Sequence, residues 1–221
     1  MYIENDKNYK ILYKHYGDKY MKKKLILVVF FVCIPFAVFA QGFYFDGGIG
    51  FGKAWTKFDG DDFAKNLKDA GFKVDEMAVD FSLKFGYGPL GGMPLYFVGE
   101  LGGVGHQIKV GPESIQFNSY LIGPGVVYYV TPLIQLGCSL GYSFVDNTSN
   151  IGLEMYDSKS GFAWNISGAV DLGQGNHGCL IGLKYYWSSN KLETSNAIQK
   201  ESMISVFVKY RYYSESPMLF E

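Results

Sequence analysis

The chain has 221 residues, with 20 Lys and Arg against 21 Asp and Glu and a formal net charge of −1. That balance gives no basic footprint for nucleic acid, which is excluded as a partner. Aromatic residues make up 18% of the chain and glycine occurs 28 times, a combination suited to twisted, closely packed strands with aromatic belts.

Residues 1–20 are polar, tyrosine-rich and without periodicity. They form an N-terminal extension upstream of an expected start at Met21; a genuine translated extension is the alternative. Residues 21–40 have the pattern of a cleavable signal: Met21-Lys22-Lys23-Lys24, an apolar run from Leu25 to Phe39, and Val38-Phe39-Ala40 before Gln41. A transmembrane helix fits less well, because Pro35 interrupts a run already short of the roughly 20 residues a span needs. Cys33 does not follow the small-residue pattern of a lipoprotein signal. Cleavage after Ala40 leaves residues 41–221 as one domain. Removing the first 40 residues takes Lys and Arg from 20 to 13 and Asp and Glu from 21 to 18, so the balance becomes 13 − 18 = −5.

From residue 42 onward the chain alternates apolar and polar residues in eight stretches, a period of two that puts the two sets on opposite faces of a strand. The predicted strands cover about 42–52, 77–87, 94–105, 115–130, 133–145, 160–172, 178–188 and 202–213. The second is the clearest, with Val79, Phe81, Leu83, Phe85 and Tyr87 on one face and Asp80, Ser82, Lys84 and Gly86 on the other. The faces of the fourth are ambiguous, and Pro124 is expected to interrupt its ladder. Aromatics at strand ends, including Phe43, Tyr87, Tyr129, Phe144, Trp187 and Tyr212, are expected to form interface girdles.

The links Gly88–Met93, Thr131-Pro132 and Gly173–His177 are short. Lys53–Glu76, Gln107–Ser114, Asp146–Lys159 and Ser189–Glu201 are long. The strict alternation matches a barrel with short periplasmic turns, long outer loops and both termini in the periplasm. The expected fold is therefore all-β, an eight-stranded antiparallel up-and-down transmembrane β-barrel in the outer membrane, exported through the periplasm. The first long link carries a predicted short helix, with Asp61 as its cap, Phe63 and Leu67 four apart and Gly71 at its end. Asp59-Gly60-Asp61-Asp62 has the look of a calcium loop, but no Glu follows at the required spacing.

Tyr120-Leu121-Ile122-Gly123-Pro124-Gly125-Val126-Val127-Tyr128-Tyr129, followed by Leu136-Gly137-Cys138-Ser139-Leu140-Gly141-Tyr142, resembles the central hairpin of the porin-like outer-membrane β-barrel domain family. The likeness extends loosely over 41–213. Gly123 and Gly125 depart from the bulkier residues common there. The resemblance implies a small eight-stranded barrel in the outer membrane, and it implies no catalytic residues and no settled ligand.

Gly137-Cys138-Ser139-Leu140-Gly141 matches the G-x-S-x-G nucleophile pattern, which works only on a strand-to-helix turn. Here it lies inside an alternating strand, so Ser139 reads as a small lumen residue. Of the two histidines after residue 40, His106 is expected at the outer rim, solvated, and His177 in a periplasmic turn. They cannot share a triad or a metal. Cys138 and Cys179 fall on the fifth and seventh strands with one strand between, about 9–10 Å apart by the inter-strand spacing. That is too far for a disulfide, so two free, apolar-facing thiols are expected. No cofactor is implied.

The informative charges face inward. Asp46, Asp80, Lys84, Glu100, Asp171, Lys184, Lys209 and Arg211 share the polar parity. In a lumen that eight strands leave only wide enough for side chains, they are expected to pair into a structural network that plugs the barrel. Asp46 is expected to bond Lys209 or Arg211 across the seam between the first and last strands. The reading is a monomeric, non-enzymatic structural or surface-interaction protein, with outer-membrane lipids and an unknown extracellular partner or ligand around it. The alternatives are a narrow pore for small solutes, a lipid-modifying outer-membrane enzyme, and a lipocalin-like soluble barrel whose apolar residues would face inward.

Overall fold

The computed structural model describes residues 40–150, 158–173, 175–193 and 197–214. The expectations for 1–20 and for 21–39 lie outside the described residues. From Ala40 onward the chain forms β1 (Ala40–Phe58), a short β2 (Asp61–Asp62), the helix α1 (Phe63–Asp69), β3 (Val74–Leu90), β4 (Leu95–Val110), β5 (Glu113–Thr131), β6 (Ile134–Ser149), β7 (Ser158–Asp171), β8 (His177–Leu192) and β9 (Ile198–Tyr213). Sequential neighbours pair, and β1 also pairs antiparallel with β9. The eight long strands thus close into an antiparallel barrel, and β2 folds back onto the top of β1.

Alternation sets the two faces. Ile49, Phe51, Leu83, Phe85, Leu101, Leu136, Leu140, Ile166, Leu183, Val206 and Val208 are all exposed on the outside. Their inward neighbours are buried and mostly polar. An apolar exterior around a polar interior is the arrangement of a barrel solvated by lipid, the reverse of a lipocalin. The parity of β5 is settled as well: Phe117, Ser119, Leu121, Val127 and Tyr129 are buried inside, while Ile122, Tyr128 and Val130 face out. Tyr129 therefore does not join the girdle expected of it; Tyr128 has the outward position.

Pro124 interrupts the β5–β6 ladder, which skips Gly123 and Pro124, but it does not end the strand. β5 pairs Ile122 with Tyr142 and Gly125 with Ser139, the same register on both sides of it. Pro124 is exposed, and Gly123 opposite Gly141 lets the two backbones pack closely. A Cβ at Gly123 would sit 2.1 Å from the Leu140 carbonyl oxygen.

The strands run further outward than the apolar pattern alone suggests. β4 and β5 are joined by Gly111 and Pro112 only, so the expected long link Gln107–Ser114 is a tight turn, with Gly111 at φ 61. The polar stretch there keeps its ladder, because inter-strand hydrogen bonds do not require apolar side chains outside and because inward Ile108 and Phe117 pack together. The predicted helix is present, but its cap is Asp62, whose side chain accepts from the Lys65 N–H. Asp61 instead pairs with Phe58 in β2. Cys138 and Cys179 are free and exposed on the outer face.

Candidate functional site

The interior is built in layers, because each strand contributes every second residue to it. At the end carrying the β3–β4, β5–β6 and β7–β8 turns, Tyr44 of β1, Tyr96 of β4, Tyr129 of β5 and Tyr213 of β9 form one buried cluster. Their rings lie 5.0–6.1 Å apart between centroids. The hydroxyls of Tyr44, Tyr129 and Tyr213 are held from within, the last donating to Asp171 at 3.3 Å. Gln135 Nε2 donates to Tyr44 (3.0 Å) and to Tyr129 (2.8 Å). Tyr44 donates to Asp46 (2.6 Å), and Tyr129 to Asp171 (3.0 Å).

Above and among these rings lie the eight inward charges, all buried. They form four ion pairs. Lys209 Nζ is 3.0 Å from Asp46 Oδ1, Lys184 Nζ 2.6 Å from Asp80 Oδ1, and Lys84 Nζ 3.5 Å from Glu100 Oε2. Arg211 grips Asp171 with two nitrogens, at 2.8 and 2.9 Å. Arg211 is the cross-strand partner of Asp46 in the β1–β9 register, yet its guanidinium turns to Asp171, lies 4.0 Å from the Tyr213 ring centre, and donates to the Gly175 carbonyl. A planar fork matches a carboxylate edge-on, which Lys cannot do. Lys209 is left to bridge the seam, donating also to Ser82 Oγ at 2.9 Å. Gly48 leaves room for it, since a Cβ there would lie 2.8 Å from Lys209 Cγ.

A thin apolar layer follows, containing Ala54, Val104, Leu121, Tyr186 and Met203. Above it is a second polar group, at the height where Lys57, Lys200 and Gln107 face outward. His106 is wholly buried there, not solvated at the rim. It belongs to the inward parity of β4, and the extended strands around it exclude water. His106 Nε2 is 3.3 Å from Glu76 Oε2, and Nδ1 is 2.8 Å from Thr56 Oγ1. Thr56 Oγ1 is also 2.8 Å from Glu201 Oε2, and Gln199 donates to Glu201 Oε1 at 2.9 Å.

Thr56 has one hydroxyl proton for its two neighbours, and it donates to Glu201 Oε2. Burial pushes the Glu76 carboxyl, at the start of β3, up, but Lys68 and His106 outweigh it and leave it below the ordinary range. Glu201 and Thr56 lie outside the shorter strands read from the sequence. Both share the inward parity, so extending those strands outward would have found them.

The end opposite the tyrosine cluster is covered by α1. Phe63, Ala64 and Leu67 pack on inward Phe58, Ile108, Ile115 and Phe117. The rings of Phe58, Phe63 and Phe117 meet edge to face at 5.3–6.0 Å. Ser139 is a buried residue in the middle of β6, without the turn that a nucleophile elbow needs. His177, at the start of β8, is exposed and bonded to the Tyr210 hydroxyl, at the opposite end of the barrel from His106. Among the described residues no group of three or more His, Cys, Asp or Glu is placed to hold a metal.

No protein-family model matches the sequence, and no curated protein matches it. Solved structures do. Neisserial surface protein A is 14% identical, with a TM-score of 0.50 over 78% of this chain and 97% of that one. Ail, the attachment invasion locus protein of Yersinia pestis, solved with the heparin analogue sucrose octasulfate, is 14% identical, with a TM-score of 0.48 over 76% of this chain and 99% of that one. OprG from Pseudomonas aeruginosa is 14% identical, with a TM-score of 0.36 over 80% and 97%. The fold of this chain is that of the small outer-membrane β-barrels, and its lipid-facing exterior places it in that membrane.

Proposed function

We propose that the chain is a plugged, monomeric anchor in the outer membrane, acting through the elements it displays outside. It is read as a structural or surface-interaction protein, neither a pore nor an enzyme. The observation that carries this reading is closure at three heights: the tyrosine cluster, the four ion pairs, and α1 packed into the outer mouth. A transport path would have to breach all three. Outer-membrane lipids surround the apolar belt. An extracellular partner would meet α1, the β4–β5 turn and the ends of β6 to β9. Residues 21–40 are proposed as the export signal, and N-terminal sequencing of the membrane-bound form checks this by finding Gln41 first.

Display has a direct test. In a background with Cys138→Ala and Cys179→Ala, cysteines placed at Glu113 and at Met93 sit at opposite ends of the barrel. A membrane-impermeant maleimide added to intact cells is expected to label Glu113→Cys and spare Met93→Cys. The reverse pattern would put α1 on the inner side and end the display reading.

A further inference from the structure

On the outer surface, β1 and β9 place Lys57 directly opposite Lys200. Both are exposed. Like charges in opposed positions have Cβ atoms about 5 Å apart and destabilise the pair. Two more lysines extend the cluster: Lys53 on β1, and Lys191 on β8, whose cross-strand partner is Ile198. All four point outward, and none forms an ion pair among the described residues. Acids lie nearby: Asp62 of β2 is the other cross-strand neighbour of Lys57, with its carboxylate accepting from the Lys65 N–H; the Asp59 carboxylate accepts from the Ile198 N–H at 2.9 Å; and Glu193 lies past the end of β8.

The height of the cluster is informative. Below it, Phe51, Val206 and Ile204 end the apolar belt. At its level stand Trp55 on β1 and Trp187 on β8, both opposite Ser202 of β9. Tryptophan at such a level marks the boundary between hydrocarbon and headgroups. Lys53 Nζ lies over the Trp55 ring at 5.5 Å, the posture of a lysine whose stem runs along an apolar wall while its ammonium reaches for the polar layer. Three adjacent strands therefore lift four ammonium groups, none in an ion pair among the described residues, to the height of the lipid headgroups on one side of the barrel.

We infer that Lys53, Lys57, Lys191 and Lys200 form a binding site for phosphorylated lipid headgroups of the outer leaflet. The opposed pair Lys57 and Lys200 is unfavourable in isolation, and bridging phosphates reverse its sign. Phosphate accepts from several ammonium donors at once, and the low-dielectric boundary strengthens each contact.

The probe is lipid A. Full-length processed barrel is refolded into phosphatidylcholine vesicles with and without lipid A, and its thermal midpoint is read by loss of β-signal. Lipid A should raise the midpoint, and added salt should shrink the rise. The variant Lys57→Gln/Lys200→Gln should lose most of that rise. In phosphatidylcholine alone it should melt at or above the parent temperature, because a repulsion has gone. Lys109→Gln, on β4, should keep the full rise. Dephosphorylated lipid A should give none. An equal rise for the parent and the double variant would overturn the site. So would an equal rise from dephosphorylated lipid A. A rise of the same size from soluble inositol hexakisphosphate in phosphatidylcholine vesicles would overturn the lipid as the source.

Discussion

At the scale of single residues, the lumen turns on who pairs with whom. Asp46 lies opposite Arg211 in the ladder but bonds Lys209. A double-mutant cycle on Asp46→Asn and Lys209→Gln, followed by unfolding in detergent, should give strong coupling. Asp46→Asn with Arg211→Gln should be close to additive. Breaking one partner of a buried pair costs about 3–5 kcal/mol, and the Ser82 hydroxyl still available to Lys209 keeps the loss at the lower end. Strict additivity in both cycles would remove the bridge.

The inward parity of the eight lumen charges was legible from alternation alone. Their partners were not, because register and the reach of Lys and Arg side chains decide them: one sequence pattern allowed both Asp46–Lys209 and Asp46–Arg211.

At the scale of elements, each strand has two unlike faces and α1 has one buried face. Leu83→Arg puts a charge on the lipid side of β3 and should cost roughly 2–4 kcal/mol near the midplane. Ser82→Ala, one residue away, removes only the bond from Lys209, on the order of 1 kcal/mol. Refolding yields in vesicles should separate the two, and equal tolerance would contradict the two-faced strand. The cap is tested by Leu67→Ala, expected to cost about 2 kcal/mol of local packing. Trypsin should then cut after Lys65 or Lys68 sooner while the barrel stays folded; an unchanged rate would mean that α1 is not held by that face. The helix was readable from Phe63, Leu67 and Gly71, but its cap fell one residue later, since Asp61 is used in β2. Strand ends were under-read above the belt. There polar outward residues mask the period, while the ladder and inward residues such as His106 and Phe117 continue it.

At the scale of the molecule, the barrel is closed in two senses. Its sheet has no open edge between β1 and β9, and its interior is filled from Tyr44 near one end to Phe117 near the other. Buried acids and bases match one to one among the eight lumen charges, so the filling carries no net charge through the lipid span. The closed ladder and outer belt hold the chain in the membrane, and the display role proposed above rests on the filled lumen. Conductance of purified, refolded protein in a planar lipid bilayer tests that account most directly. Insertion without steady conductance at neutral pH is the expected result. A steady, voltage-independent conductance from the native protein would contradict it.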